Sequence, residues 1–264
     1  MNAISLHIGL DSVNPEGYAG WSGKLQSCEK DALDMQKIAA SLGYTTLTVM
    51  TKDATVIGVT GTLLTLAGRL KSRDMLFLSY SGHGGQVPDK NGDEIDRTDE
   101  TWCLYDRMMI DDEIYALLSK FRKGVRIFVL SDSCHSGTVM RSPTSDPPVG
   151  RIVPPVDNLT IYTIHSNMYD SIQGNIRPKS RSVVKMAASI IFISACQDHQ
   201  LASDGPDNGL FTATLKRVWD NGNFTGNYRR FRDVIASKMP LWQTPGYAEF
   251  GATSKFRIQT PFIP

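Results

Sequence analysis

The sequence has no apolar run near the roughly 18 residues that a membrane-crossing helix needs. Its opening, Met1-Asn2-Ala3-Ile4-Ser5-Leu6-His7-Ile8-Gly9-Leu10, lacks the basic start and longer apolar core of a secretory signal. It enters a strand-like pattern at once, so no prodomain is expected before it. Charge of one sign is not in excess: 28 Lys and Arg against 27 Asp and Glu give a formal net charge of +1. That balance excludes a global field for nucleic acid or a membrane surface, and neither partner is expected. Cysteine is scarce, with 4 in all. Cys28, Cys103, Cys134 and Cys196 are scattered, which suits a reducing compartment rather than a disulfide framework, and the expected location is cytoplasmic. No close pair of Cys and His exists apart from Cys134-His135, whose adjacency rules out structural zinc. No internal repeat is visible.

What is present is an ordinary globular composition. The 264 residues are 41% hydrophobic and 21% charged, enough for one good core and a single domain over 1–264. Strand-like runs over 3–10, 45–50, 75–80, 125–130 and 189–195 alternate with helical periodicity over 28–42, 54–70, 112–121, 209–219 and 228–239. Alternation of this kind implies an α/β fold, with a mostly parallel sheet of about six strands and helices on both faces. Between 138 and 188 the texture changes. Pro and Ser are frequent, periodic apolar positions are few, and a basic stretch follows at Arg177-Pro178-Lys179-Ser180-Arg181. This stretch reads as a linker between a first part, 1–137, and a second, 189–264.

Two strand ends carry chemistry. Val125-Arg126-Ile127-Phe128-Val129-Leu130 runs into Ser131-Asp132-Ser133-Cys134-His135-Ser136-Gly137, and Met75-Leu76-Phe77-Leu78-Ser79-Tyr80 runs into Ser81-Gly82-His83-Gly84-Gly85. Parallel sheets place reacting groups at such ends. A free thiol is mostly protonated at neutral pH, so a nucleophilic Cys134 needs a base such as His83. The histidine precedes the cysteine by about 50 residues, the order and spacing of caspases. His135 is a competing base, demoted because adjacent residues rarely face one another across a site.

The two motifs, Ser-Gly-His-Gly-Gly and Asp-Ser-Cys-His-Ser-Gly, resemble the catalytic signatures of the metacaspases and their prokaryotic relatives among the caspase-like cysteine peptidases. The similarity extends from Ile4 to about Gln243, while the Gln-Ala-Cys-x-Gly signature of animal caspases is absent. The resemblance implies a caspase-like three-layer sandwich, a cysteine endopeptidase and, usually, a monomer. It makes Cys134 the nucleophile and His83 the general base, with the amides of Gly84 and Cys134 holding the oxyanion. It also implies cleavage after Arg or Lys, in a pocket built from Asp132, Asp31, Cys28 and Ser81. Two converging carboxylates repel, and a guanidinium that pairs with both relieves the repulsion. Protein or peptide substrates are the implied partners, together with a regulatory protein, and the chemistry itself requires no cofactor.

The acidic stretch from Asp89 to Asp112 has two readings. Asp89, Asn91, Asp93 and Glu100 fall at calcium-loop positions, but Glu94 stands where the turn glycine belongs, so an EF-hand is not expected. The family resemblance implies an activating calcium ion at Asp99, Asp111 and Asp112. The further aspartate expected after the nucleophile is missing from Thr138-Val139-Met140-Arg141. The other reading is a solvated acidic surface. In the linker, Arg141, Arg151, Arg177, Lys179, Arg181 and Lys185 offer an Arg/Lys-directed enzyme sites in its own chain. Self-cleavage is expected within 177–185, at Arg177, Lys179, Arg181 or Lys185. Ser194-Ala195-Cys196-Gln197-Asp198 resembles the family's second half and is expected to line the cleft, near Asp204. The rival function is a non-catalytic caspase-like scaffold that binds a partner.

Overall fold

The computed structural model describes residues 1–90, 92, 96–134, 149–176, 186–197 and 200–264. The principal sheet has six strands: β1 (Ala3–Gly9), β2 (Thr45–Met50), β3 (Met75–Ser81), β7 (Arg126–Asp132), β8 (Ser189–Ser194) and β9 (Gly246–Phe250). Their order is β2-β1-β3-β7-β8-β9, parallel throughout except for the antiparallel edge strand β9. A smaller antiparallel sheet is made by β4 (Gly84–Pro88), β5 (Thr98–Cys103) and β6 (Met108–Ile110). The helices are α1 (Cys28–Ser41), α2 (Val56–Arg69), α3 (Asp111–Leu118), α4 (Pro155–Asn175), α5 (Leu210–Trp219), α6 (Tyr228–Ser237) and α7 (Ser254–Arg257).

Burial explains the central strands. Every residue of β3 is buried, as is all of β7 after Arg126, which is what a parallel sheet covered on both faces requires. Side chains alternate between the faces with period two. Leu76, Leu78, Ile127 and Val129 pack with Val59, Leu63 and Leu66 of α2 and Ile114 and Leu117 of α3. Phe77, Phe128, Leu130, Ile191 and Ile193 turn the other way, toward Met35 of α1, Phe211 and Leu215 of α5, and Phe231 and Ile235 of α6. Helices thus cover both faces, as the alternation predicts.

Three elements depart from the sequence expectations. The 138–188 linker contains a 21-residue helix, α4, with Pro155 at its first turn, where a missing N–H costs nothing. Ile161 and Tyr169 of α4 are fully buried against Val87, Cys103 and Met108 of the small sheet. The small sheet and β9 are also additions. Their strands are short, and β4 holds two glycines and a proline, so propensity argues against them.

The sheet order turns at β1, with β2 on one side and β3 on the other. Ligand crevices of parallel sheets open beyond the strand ends at such a reversal. Ser81 at the end of β3 pairs directly with Asp132 at the end of β7. His83 follows β3 at the junction of the two sheets, and Cys134 follows β7.

Candidate active site

The two loops touch through their backbones. A Cβ on Gly84 would stand 1.6 Å from the carbonyl oxygen of Cys134, so only glycine permits this approach. A hydrogen-bond chain fixes both loops from below. Tyr80 Oη donates to the carbonyls of His83 (2.7 Å) and Cys103 (3.1 Å), and its ring stacks on Trp102 at 4.5 Å. Trp102 Nε1 in turn donates to Ser131 Oγ, 2.9 Å from Ser133 Oγ beside the cysteine.

His83 is buried, with its ring tilted against Trp21 and its Nε2 3.0 Å from the Gly23 carbonyl. That carbonyl requires a donor, so the proton sits on Nε2 and Nδ1 keeps its lone pair. Burial lowers the pKa of the ring to about 4, against the upward pull of its hydrogen bond to the Gly23 backbone. At neutral pH the imidazole is a neutral base. Cys134 is fully buried, and its Sγ receives the N–H of Ala202 at 2.8 Å. Nδ1 of His83 has no hydrogen-bond partner, so thiol and imidazole flank the same stretch of chain without bonding each other.

That stretch is 149–153. Arg151 N–H donates to Ala202 O (2.9 Å), Asp204 N–H to Val149 O (2.8 Å) and Val153 N–H to Gly84 O (2.9 Å). The Arg151 carbonyl accepts two amides, those of Gly84 (3.0 Å) and Cys134 (3.2 Å), the pair expected to hold an oxyanion. The segment is therefore an added strand, antiparallel to 202–204 on one side and parallel to Gly84 on the other.

The Arg151 side chain is wholly buried in a slot of three carboxylates. Nη2 lies 2.6 Å from Asp31 Oδ2 and 3.0 Å from Asp204 Oδ1, and Nη1 lies 3.0 Å from Asp132 Oδ2. Ser81 Oγ (2.9 Å) and Ser27 Oγ (2.8 Å) accept further bonds from Nη1 and Nη2. The carboxylates are held in turn: Asp132 by Thr212 Oγ1 at 2.7 Å, and Asp31 by Asn208 Nδ2 at 2.8 Å and the Gly209 amide. Gly209 forms one wall, where a Cβ would meet the guanidinium at 2.6 Å. Burial pushes Asp31 up to about 6, with Arg151 pulling it down and Asp132 pushing it further up. Burial also pushes Asp204 upward, but its bond from Ser27 and the Arg151 charge outweigh this and hold it below the usual range. The Cys28 thiol is buried beside Ser81 and Arg151, and burial raises it far above its ordinary value.

The four expected pocket residues, Asp132, Asp31, Cys28 and Ser81, are thus brought together. Ser27, Ala202 and Gly209 were not anticipated, and neither was the role of Arg151 as occupant. Asp204 joins the slot itself. Cys196 is buried, its Sγ 3.5 Å from the Ser133 carbonyl, a packing role. His135, Asp198, Asn91, Asp93, Glu94, Arg141 and the processing positions Arg177, Lys179, Arg181 and Lys185 lie outside the described residues.

For calcium, Asp99 and Asp112 are buried and Asp111 is half-buried. Among the described residues no group of three or more His, Cys, Asp or Glu is arranged to hold a metal ion. None of the described helices is long and apolar enough to cross a membrane.

Comparison with known proteins agrees with the motifs. The family model of the caspase domain matches residues 13–256. Metacaspase-1 of Schizosaccharomyces pombe is 29% identical over 252 residues, covering 80% of this chain and 57% of that one. Metacaspase-1 of Saccharomyces cerevisiae is 27% identical over 241 residues, covering 76% and 56%. The chain spans little more than half the length of these relatives. A solved protein of Geobacter sulfurreducens matches with a TM-score of 0.90 and 46% identity, over 99% of this chain and 98% of that one. With the family model spanning most of the sequence, on a sheet that brings Ser-Gly-His and Asp-Ser-Cys to neighbouring strand ends, the chain belongs to the caspase-domain family and is similar to metacaspases.

Proposed function

We propose that this chain is a cysteine endopeptidase that cuts after arginine and, more weakly, after lysine. One observation carries the reading: an arginine fills the carboxylate slot while its own carbonyl oxygen takes the N–H groups of Gly84 and Cys134. A peptide carbonyl polarised by two amides beside a thiol is poised for acyl transfer. Cys134 attacks the carbonyl carbon as His83 Nδ1 takes the thiol proton. The two amides, already within 3.2 Å of that oxygen, stabilise the negative charge that develops there. His83 returns the proton to the departing amine, and water then resolves the thioester.

The slot explains the preference for arginine. Nη1 and Nη2 are held by different carboxylates, Asp132 on one side and Asp31 and Asp204 on the other. A planar fork spans that separation, and the single ammonium of lysine does not. A panel of fluorogenic peptides varying the residue before the cut tests this, with Cys134→Ala as control. Arginine peptides should be cut fastest, lysine peptides more slowly and aspartate peptides not at all. Cleavage after aspartate with arginine peptides untouched would refute the reading.

A further inference from the structure

Polar side chains inside a core are costly, and β1 carries two of them, Ser5 and His7. Ile4, Leu6 and Ile8 pack toward α2 and α3, so His7 points to the opposite face, with its ring edge-on to Phe77. Its Nδ1 lies 2.8 Å from Ser79 Oγ on the neighbouring strand β3. Ser79 is two residues before Ser81, and Ser81 pairs with Asp132, so Ser79 and the slot share one face of the sheet. Between them is a cavity of about 10 Å³, the space of one water molecule. Its polar walls are Asp31, Ser79, Ser81, Asp132 and Thr212, all deeply buried, and apolar side chains of α1, β7 and α5 close the rest. The groups that hold the Asp132 carboxylate converge on one oxygen. Thr212 Oγ1 at 2.7 Å, the Thr212 N–H at 3.3 Å and Arg151 Nη1 at 3.0 Å all reach Oδ2. Among the described residues no donor bonds Oδ1, although it is buried. A buried acceptor beside a polar cavity of this size calls for a water.

We propose that one buried water bonds Asp132 Oδ1 to Ser79 Oγ, and that His7, acting through Ser79, orients this bridge and so fixes the Asp132 carboxylate for an arginine. This rests on the peptidase reading above and deepens it, making His7 and Ser79 positioning residues for the arginine preference. The hydrogens run one way along the chain of bonds. Nε2 of His7 is buried without a partner, and a bare lone pair is tolerated there better than a bare N–H, so the proton sits on Nδ1. Nδ1–H then donates to Ser79 Oγ, the Ser79 hydroxyl to the water, and the water to Asp132 Oδ1. Ser81 Oγ accepts from Arg151 and donates to Asp31, which leaves it one lone pair for the water's second hydrogen. Burial lowers His7 to about 3, so at neutral pH the ring remains a neutral, single donor. Donors aligned toward a carboxylate strengthen one another. With Oδ1 tied, the carboxylate does not turn, and Oδ2 stays 3.0 Å from the guanidinium. An arginine uses both sides of the slot and depends on that aim, whereas the single ammonium of lysine depends on it less.

The test reads the bridge directly and through substrate choice. A high-resolution crystal structure of the Cys134→Ala chain should show one water within about 3.2 Å of both Asp132 Oδ1 and Ser79 Oγ. Nitrogen-15 NMR should find the His7 proton on Nδ1. The ratio of kcat/KM for an arginine peptide to that for a lysine peptide should fall about fivefold in Ser79→Ala and about threefold in His7→Leu. Both peptides compete with the same Arg151 for the slot, so its occupancy cancels in the ratio. His7→Asn, whose Nδ2 takes the place of Nδ1, should restore the ratio, which a merely structural histidine would not predict. Circular dichroism checks folding, and if Ser79→Ala fails to fold, the contrast between His7→Leu and His7→Asn decides. A dry cavity, a His7 proton on Nε2, or an unchanged ratio in Ser79→Ala or His7→Leu would overturn the proposal, as would His7→Asn behaving like His7→Leu. If the wild-type chain hydrolyses neither peptide, the peptidase reading falls and takes the role in arginine preference with it. The crystallographic water and the His7 proton then still decide the bridge.

Discussion

Asp31, Asp132 and Asp204 come from distant parts of the chain and meet around one guanidinium. Three aspartates of the stretch from Asp89 to Asp112 are neighbours in sequence, yet they turn to separate backbone groups. Asp89 accepts the Gly92 amide, Asp96 the Thr98 amide and Asp106 the Val56 amide. The first set is buried and charge-paired at 2.6–3.0 Å, while the second holds turns and a helix start. Density of acidic residues along a chain is therefore no guide to convergence of charge in space. What converges is decided by strand order: β3 and β7 are neighbours, and their ends deliver Ser81 and Asp132 side by side.

The largest expected effect tests the slot. Asp132→Asn keeps the volume and the Thr212 contact but leaves the arginine short of one charge-assisted bond. Truncating a buried charge pair costs about 2–5 kcal/mol, so kcat/KM for arginine peptides should fall by about 30-fold or more. Lysine peptides, which cannot use both sides of the fork, should lose less. If arginine and lysine peptides fall equally, the two sides of the slot do not act as a fork.

This contrast also marks what could be read without coordinates. The six-stranded sheet, its covering helices and the Cys134–His83 strand ends were legible, because buried strands write long apolar runs and their ends write glycine and serine. Asp31 and Asp132 were legible only through family resemblance. Arg151 was one of six basic residues in a Pro- and Ser-rich linker, and nothing local distinguishes the one that folds back. Its selection depends on α4, which fixes where the chain re-enters the cleft. The short strands β4–β6 and the edge strand β9 escaped notice because tertiary pairing, not propensity, forms them.

The next effect concerns the shape of the slot. Gly209→Ala puts a methyl 2.6 Å from the guanidinium position, and overpacking of this kind costs about 1–3 kcal/mol. Hydrolysis of arginine peptides should drop about tenfold, with a smaller loss for lysine, whose ammonium is narrower. Equal activity would mean that the wall yields and the slot does not measure its occupant.

A third comparison sets His83 against His7, both buried and both neutral. Burial lowers His83 to about 4 and His7 to about 3 from 6.5. The unfolded chain takes up these protons near pH 6.5 and the folded chain refuses them. Their contribution to stability is thus complete above 6.5 and is lost as pH falls toward 4 and 3, at up to about 1.4 kcal/mol per pH unit for each. His7 sits in the core against Ser79 and Phe77, whereas His83 lies under Trp21 beside the Gly23 carbonyl. Imidazole signals followed by NMR should show both rings neutral at pH 6.5, and Trp21→Ala should move the His83 titration upward with His7 unmoved. If both stay where they are, Trp21 is not what buries His83.

The smallest effect belongs to the acidic stretch and guards the comparison from the other side. Asp106 Oδ1 accepts the N–H of Val56, the first residue of α2, at 2.8 Å. Asn in its place keeps an acceptor oxygen at that point and removes only the negative charge at the helix start. Such a charge is worth about 0.3–1 kcal/mol in exposed settings. Asp106→Asn should therefore lower stability by no more than about 1 kcal/mol in urea unfolding. It should leave kcat/KM for arginine peptides within about twofold and the preference for arginine over lysine unchanged. The charge acts on the start of α2 and is not among the carboxylates paired with the Arg151 guanidinium, so it has no direct contact with the slot's occupant through which the rate could respond. A loss of activity approaching that of Asp132→Asn would require coupling between the acidic stretch and the cleft, and the division between capping carboxylates and binding carboxylates would not survive it.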